Sequence, residues 1–124
     1  MPIALTDREA DLMQILWENG ASTAAEVRER LSDDLAYTTV LTVLRTLEAK
    51  GYVDHAEEGR AHRYRARIAQ HAARSNAVKH LMRKLFRGSP ELLLTQLMSD
   101  HKLDARQVQR VQQHLKKKKA TARR

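Results

Sequence analysis

The chain has 124 residues, and 23 Lys+Arg against 15 Asp+Glu give a formal net charge of +8. Aromatic residues make up only 4%, glycines number four and cysteine is absent, which excludes disulfide frameworks, thiolate metal sites and cysteine nucleophiles. No apolar run approaches the roughly 20 residues needed to cross a bilayer. The start, Met1-Pro2-Ile3-Ala4, has neither the basic nor the apolar region of a secretory signal, so a cytoplasmic protein with no membrane insertion is expected.

The charge is unevenly placed. Residues 1–58 hold 5 basic and 12 acidic side chains, whereas residues 59–90 hold 9 basic and no acidic ones. A further basic run, Lys116 to Lys119 with Arg123 and Arg124, closes the chain. An acidic first half beside a basic middle means that a polyanion meets a chosen surface, not a uniformly cationic protein.

In chain order, Thr6-Asp7-Arg8-Glu9 has capping-box spacing ahead of the apolar stripe Leu12, Met13, Ile15, Leu16 and Trp17, and Asn19-Gly20 ends that helix. A second box, Thr23 to Glu26, opens a shorter helix with Ala24, Val27 and Leu31 on one face, closed by Ser32-Asp33-Asp34. A third helix is predicted from Tyr37 or Thr38 to Lys50, stopped by Gly51. Two short strands, 52–55 and 62–65, then flank a loop, Glu57-Glu58-Gly59-Arg60, of hairpin composition. Three helices and a two-stranded hairpin are the layout of a winged helix-turn-helix.

The remainder reads as helical. Residues 69–86 space Val78, Leu81, Met82, Leu85 and Phe86 by threes and fours; Ser89-Pro90 supplies a cap and a first helical position; Asp104 caps a last helix, with Leu103 as its hydrophobic staple. The fold class expected is mostly α with a small β-hairpin: a winged helix over 1–67, a helical dimerisation region over 68–115 and a disordered basic tail over 116–124. Three short helices seldom enclose a core of their own, and Leu92-Leu93-Leu94 cannot share one helix face. Burial of Leu81, Leu85, Leu92, Leu93, Leu97, Val108, Val111 and Leu115 against an identical copy resolves this, so a homodimer is expected.

The third helix carries the functional signal. At about 100° per residue, Val40, Val43, Leu44 and Leu47 share one side, and Thr38, Leu41, Thr42, Arg45 and Ala49 the other, with Thr39 and Thr46 on the flanks. Threonine is a poor helix former, so propensity does not account for this face. Its small hydroxyls and methyls suit close approach to base edges and thymine methyls, and Arg45 suits a guanine edge or a phosphate. Arg60, His62, Arg63, Arg65 and Arg67 follow the Gly59 turn with no acid among them. Cations without pairing partners repel one another, and a duplex relieves that repulsion.

These segments resemble the penicillinase-repressor (BlaI/MecI/CopY) family of bacterial winged-helix repressors. The resemblance rests on Leu5-Thr6, Glu9, Met13 and Leu16-Trp17, on Leu35-Ala36-Tyr37-Thr38-Thr39-Val40, Thr42-Val43-Leu44 and Leu47, on Lys50-Gly51, and on Gly59-Arg60-Ala61-His62-Arg63-Tyr64. It covers residues 5–115. It implies a dimer that represses a β-lactamase or related operon from a palindromic operator with TACA/TGTA-type half-sites. Thr38, Thr39, Leu41, Thr42, Arg45 and Thr46 match that family's recognition helix, and Arg60 and His62 its wing. In the antibiotic-responsive branch a membrane sensor-protease pathway leads to cleavage at an Asn-Phe bond; Gln96-Leu97 occupies that position here, so the recognised pair is absent. The copper-responsive branch uses a cysteine cluster, which this chain lacks.

Other classes are weaker readings. The six histidines, His55, His62, His71, His80, His101 and His114, form no metal or catalytic motif, so neither an enzyme nor a cofactor is expected. Met98 with His101 is too little for a soft-metal site; Met98 is expected in the core and His101 at the surface. The main alternative is a non-specific architectural DNA-binding protein using the basic middle and tail. A winged-helix protein-interaction module is a further one.

Overall fold

The structure, a computed structural model, describes residues 3–122, with side chains as far as Lys119. These residues form α1 (Asp7–Asn19), β1 (Ser22–Thr23), α2 (Ala24–Arg30), α3 (Tyr37–Ala49), β2 (Val53–Glu58), β3 (Ala61–Ala66), α4 (Gln70–Leu85), α5 (Pro90–Ser99) and α6 (Ala105–Ala122). They divide into two compact units, the first ending at Val78 and the second beginning at Lys79.

The first unit begins with the complete capping box: Thr6 Oγ1 accepts from the Glu9 amide, and Glu9 Oε1 accepts from the Thr6 amide at 2.8 Å. The same Glu9 oxygen accepts from Lys50 Nζ at 2.8 Å, tying the start of α1 to the end of α3. Glu9 is buried, which alone raises its pKa; the bonds from Lys50 and Thr6 and the lysine charge outweigh burial and hold it below its usual value of 4.5. Leu12, Met13 and Leu16 of α1, Val27 of α2, and Val40, Leu44 and Leu47 of α3 close the core with Val53 and Tyr64 from the sheet. The turn joining α2 to α3 is held by Arg28 Nε, which donates to Leu35 O at 2.8 Å.

The sheet has a strand more than the expected hairpin. Its order is β1-β3-β2, all antiparallel, with Ser22 opposite Tyr64 and His55 also opposite Tyr64 on the other side. A strand of two residues beside a capping threonine has too short a run to show alternation. The hairpin turn is also tighter than the predicted loop: β2 runs through Glu58 and β3 starts at Ala61, leaving Gly59-Arg60. Gly59 at φ 61° supplies the positive φ that a two-residue hairpin turn requires at its first position.

The compact unit continues past residue 67, the expected end of the winged helix. Trp17 Nε1 donates to Ile68 O at 2.9 Å, Gln70 bonds Gln14, and Asn76 Oδ1 accepts from the Ile3 amide at 3.2 Å, so the first turns of α4 fold with the first unit.

In the second unit, Ser89 caps α5 with Pro90 in its first turn, and Asp104 and Gln107 cap α6 reciprocally at 2.9 and 2.8 Å. No residue of α5 is buried, and Met98, expected in a core, is exposed. The tail expected to be disordered is a continuation of α6 through Ala122. Lysine and alanine are good helix formers, and cations at a helix C-terminus meet a favourable dipole; Arg123 and Arg124 lie outside the described residues.

The Glu9 arrangement gives a signed expectation. Because its folded-state pKa is lowered, its contribution is fully present above the unfolded value of 4.5 and fades as pH falls through the lower folded value. Glu9→Gln is expected to cost about 2–3 kcal/mol at neutral pH, with the gap to wild type narrowing below pH 4.5; urea unfolding across pH measures both.

Candidate nucleic-acid interface

Val40, Leu44 and Leu47 are fully buried, so the opposite face of α3 is turned outward: Thr38, Thr39, Thr42, Arg45 and Thr46 are all exposed. Leu41 differs from expectation. It is half-buried and packs on the core, because it sits at the edge of the buried stripe and not at the centre of the outer face. Val43, expected inside, is half-buried for the same reason at the other edge.

The threonines are not equivalent. Thr42 Oγ1 donates to Thr38 O at 2.8 Å and Thr46 Oγ1 to Thr42 O at 3.0 Å, the back-bond of a helical threonine. With the hydroxyl proton so engaged, each presents outward a methyl group and acceptor lone pairs only. Arg45 has no ion pair among the described residues. The helix start is bare: α1, α2 and α5 are capped by Thr6, Thr23 and Ser89, whereas α3 begins after Ala36 with no side-chain cap.

The wing overturns the idea that its cations lack partners. Arg63 is bonded to Glu26 (Nη2 to Oε1, 3.0 Å), to Glu58 at 2.7 Å and to Ala21 O. Arg65 pairs with Asp54 at 2.6 Å, and Arg67 reaches the same carboxylate at 3.4 Å. The hydrogen bond from Arg63 holds the Glu26 carboxyl below its usual pKa, and that from Arg65 does the same for Asp54. These acids come from α2 and from β2, so no scan of the β3 segment finds them. Glu26 is consequently not the returning half of a capping box; its carboxylate is turned to Arg63. Arg63 is a bracket between wing and α2, while Arg60 and His62 remain exposed at the turn.

His62 stacks on His55 with ring centroids 4.2 Å apart and planes 10° from parallel, and His55 Nδ1 is hydrogen-bonded to Glu48 of α3. Helix α3 and the wing are thus joined through a chain of side chains. Between them lies an open cleft of about 190 Å³ lined by Tyr37, Leu41, Arg45, Arg60, His62 and Tyr64, with Thr23 to Ala25 at its edge. The two tyrosines were not among the expected site residues. Tyr37 begins α3 and is 44% exposed, while Tyr64 reads from sequence as an ordinary inward strand position.

Among the described residues no group of three His, Cys, Asp or Glu is placed to hold a metal, and no helix is long and apolar enough to cross a membrane. Gln96 and Leu97 both lie inside α5, where Gln96 O accepts from the Asp100 amide at 3.0 Å.

A helix-turn-helix followed by a hairpin in a three-stranded sheet defines a winged-helix fold. Solved structures agree: a MarR family protein from Bacillus stearothermophilus (TM-score 0.52, 15% identity, covering 98% of this chain and 78% of that one) and the transcriptional regulator Tm0710 from Thermotoga maritima (TM-score 0.55, 20% identity, 94% and 75%). At these identities the likeness is one of fold. Within that class the chain belongs to the penicillinase-repressor family, whose profile, described as "Penicillinase repressor", matches residues 5–117. The chain is 46% identical over 63 residues to the transcriptional regulator BlaI of Mycobacterium tuberculosis, covering 48% of this chain and 46% of that protein. It is 28% identical over 120 residues to an uncharacterized 16.5 kDa protein of Latilactobacillus sakei, covering 95% and 82%. The match spans about half the length of the mycobacterial relatives. The family and those relatives are transcriptional regulators, not enzymes.

The division of the wing cations is measurable in the free protein. Arg63→Ala is expected to lower the melting temperature and speed amide exchange in β3, because it releases Glu26 and Glu58 together. Arg60→Ala is expected to leave both unchanged. Equal melting temperatures for the two variants would contradict the bracket role of Arg63.

Proposed function

We propose that this chain is a DNA-binding transcriptional repressor that acts as a homodimer on a palindromic operator, as its resemblance to the penicillinase repressors implies. The observation that carries the reading is the outer face of α3, which bears threonines and one unpaired arginine where a solvated helix bears Glu and Lys. The uncapped start of α3 adds to it: free amides at a helix N-terminus suit a backbone phosphate.

In this reading the assigned DNA contacts are Thr38, Thr39, Leu41, Thr42, Arg45 and Thr46 on the helix, with Arg60, His62 and Arg63 on the wing. The back-bonded hydroxyls refine what each threonine reads. Thr42 and Thr46 meet donor edges, adenine N6 or cytosine N4, and thymine methyls, while Thr38 and Thr39 keep a hydroxyl proton to donate. Leu41, half-buried, contributes only its outer edge, and Arg63 acts chiefly by holding the wing.

The second unit supports the dimer. Leu81, Leu85, Leu92, Leu97, Val111 and Leu115 are exposed in the single chain, Leu85 at 74%, and Leu93 and Val108 are half-buried. At about 25 cal/mol per Å² of apolar area, covering such side chains with a second copy is a strong association term. Two recognition helices held in this way enter successive major grooves about 34 Å apart, and an occupied promoter excludes polymerase without any catalysis. A β-lactamase or related operon is the target class the family suggests. Induction by a sensor-protease pathway at Gln96-Leu97 would first have to unwind α5, since that peptide bond is helical.

Selection from random duplexes tests the reading. The wild-type chain is expected to recover a palindrome whose half-sites are one helical turn apart. Recovery of no preferred sequence, with affinity that tracks charge alone, would favour the architectural alternative. Leu92→Asp is expected to sediment as a monomer and to lose operator affinity by about 100-fold or more, because each half-site contact then binds without the benefit of linkage; a fully dimeric Leu92→Asp chain would remove this interface.

A further inference from the structure

We propose that the cleft between the wing turn and α3 seats one phosphodiester oxyanion of the duplex backbone, so that Arg45 grips a phosphate and not a base edge. This rests on the DNA-binding reading above and adds to it the chemistry of one subsite.

Three observations converge on the cleft. First, its lining brings Arg45, Arg60 and His62 around one concavity with no carboxylate among the lining residues. The neighbouring cations Arg63, Arg65 and Arg67 are all neutralised by Glu26, Glu58 or Asp54, whereas Arg45 and Arg60 have no ion pair among the described residues. Two guanidiniums sharing a concavity repel unless an anion lies between them.

Second, Tyr64 lines the same cleft with only 1% of its surface exposed, yet its hydroxyl has no hydrogen-bond partner among the described residues. No fully buried side-chain oxygen or nitrogen among the described residues lacks a partner, so this hydroxyl opens to solvent at the cleft, where an incoming acceptor can take a hydrogen bond from it. Burial, aided by the Glu48 charge, raises the Tyr64 pKa, so the group stays a protonated donor. Third, His62 is held in orientation by its stack on His55, which Glu48 anchors in turn. Its ring nitrogens are therefore presented in a fixed direction.

The size of the cleft points the same way. About 190 Å³ is below the roughly 300–1,000 Å³ of a small-molecule pocket. It suits one tetrahedral anion. An arginine reading guanine instead needs its planar fork free to lie against O6 and N7 on the groove floor, which a second guanidinium and a phenol at its side do not favour.

The test uses the full-length chain and the operator recovered by selection. Arg45→Ala and Arg60→Ala are each expected to weaken binding about 10-fold at moderate salt, by the same factor for operator and for scrambled duplex, and to reduce the salt slope by about one. The double variant is expected to lose less than the product of the two, because both hold one anion. Tyr64→Phe keeps the core filled and is expected to lose roughly 3- to 10-fold with no fall in melting temperature. Replacing a single backbone phosphate by a neutral methylphosphonate is expected to reproduce the loss, and Arg45→Ala then costs nothing further on that duplex.

Arg45→Ala that relaxes preference at one base pair while leaving the salt slope intact would overturn the proposal, though not the DNA-binding reading. Saturable binding of inorganic phosphate at constant ionic strength, with operator affinity indifferent to every methylphosphonate, would assign the cleft to a free anion and overturn it as well. If the wild-type chain selects no duplex, the underlying reading fails independently of the cleft.

Discussion

The burial of one side of α3 is the constraint on which the candidate interface depends. Val40, Leu44 and Leu47 are each fully enclosed by α1, α2 and the sheet, and a helix so anchored has no freedom to rotate about its axis. Its opposite face is thereby fixed as an outward surface. The Glu9–Lys50 pair performs a related task at the helix end, where a buried carboxylate ties the C-terminal cap of α3 to the first turn of α1. A rotation of α3 by one residue would break this pair and expose valine and leucine to water, so the threonine face is specified by the core and not by any property of threonine.

A second layer of control lies in how the wing is attached. Arg63 spans α2, β2 and the Ala21 carbonyl, and Asp54 draws in two arginines from β3 and the segment after it. These bonds consume most of the positive charge that the hairpin contributes. The effect is selective. Among the described residues of the wing and α3, what remains unpaired is confined to the turn and to Arg45, which sharpens a diffuse basic strand into a small cationic locus beside α3. A single surface ion pair of this kind contributes little to stability; Arg63 makes several contacts at once, and with the Asp54 pairs they hold the wing and leave its tip open.

The second unit is built on different terms. Its helices are well capped, by Ser89 and by the reciprocal Asp104–Gln107 pair, yet α5 buries none of its residues. Good caps and helix-forming residues give the helices their local definition, while the leucines that would pack a core remain at the surface. Capping answers to backbone groups within a single turn, whereas a core requires area from elsewhere. The exposed apolar set is the physical basis for reading this region as one half of an interface.

Much of this was readable along the chain. The four capping signals at Thr6, Thr23, Ser89 and Asp104, the turn at Gly59 and the two-sided character of α3 all depend on contacts within a few residues, and each lies in the structure where local pattern places it. The sequence thus determined the order of the helices and the hairpin, the winged-helix class and the two-sided pattern of α3. Only the tertiary structure decided the rest: that Ser22-Thr23 is a third strand, that Leu41 leans on the core, that Arg63, Arg65 and Arg67 are already neutralised, and that Tyr64 lines one cleft with Arg45 and Arg60. The reason is physical. Pairing of charges and hydrogen-bonding groups is decided by distance in space, and Glu26 and Arg63 become neighbours only once β3 has been laid against β1.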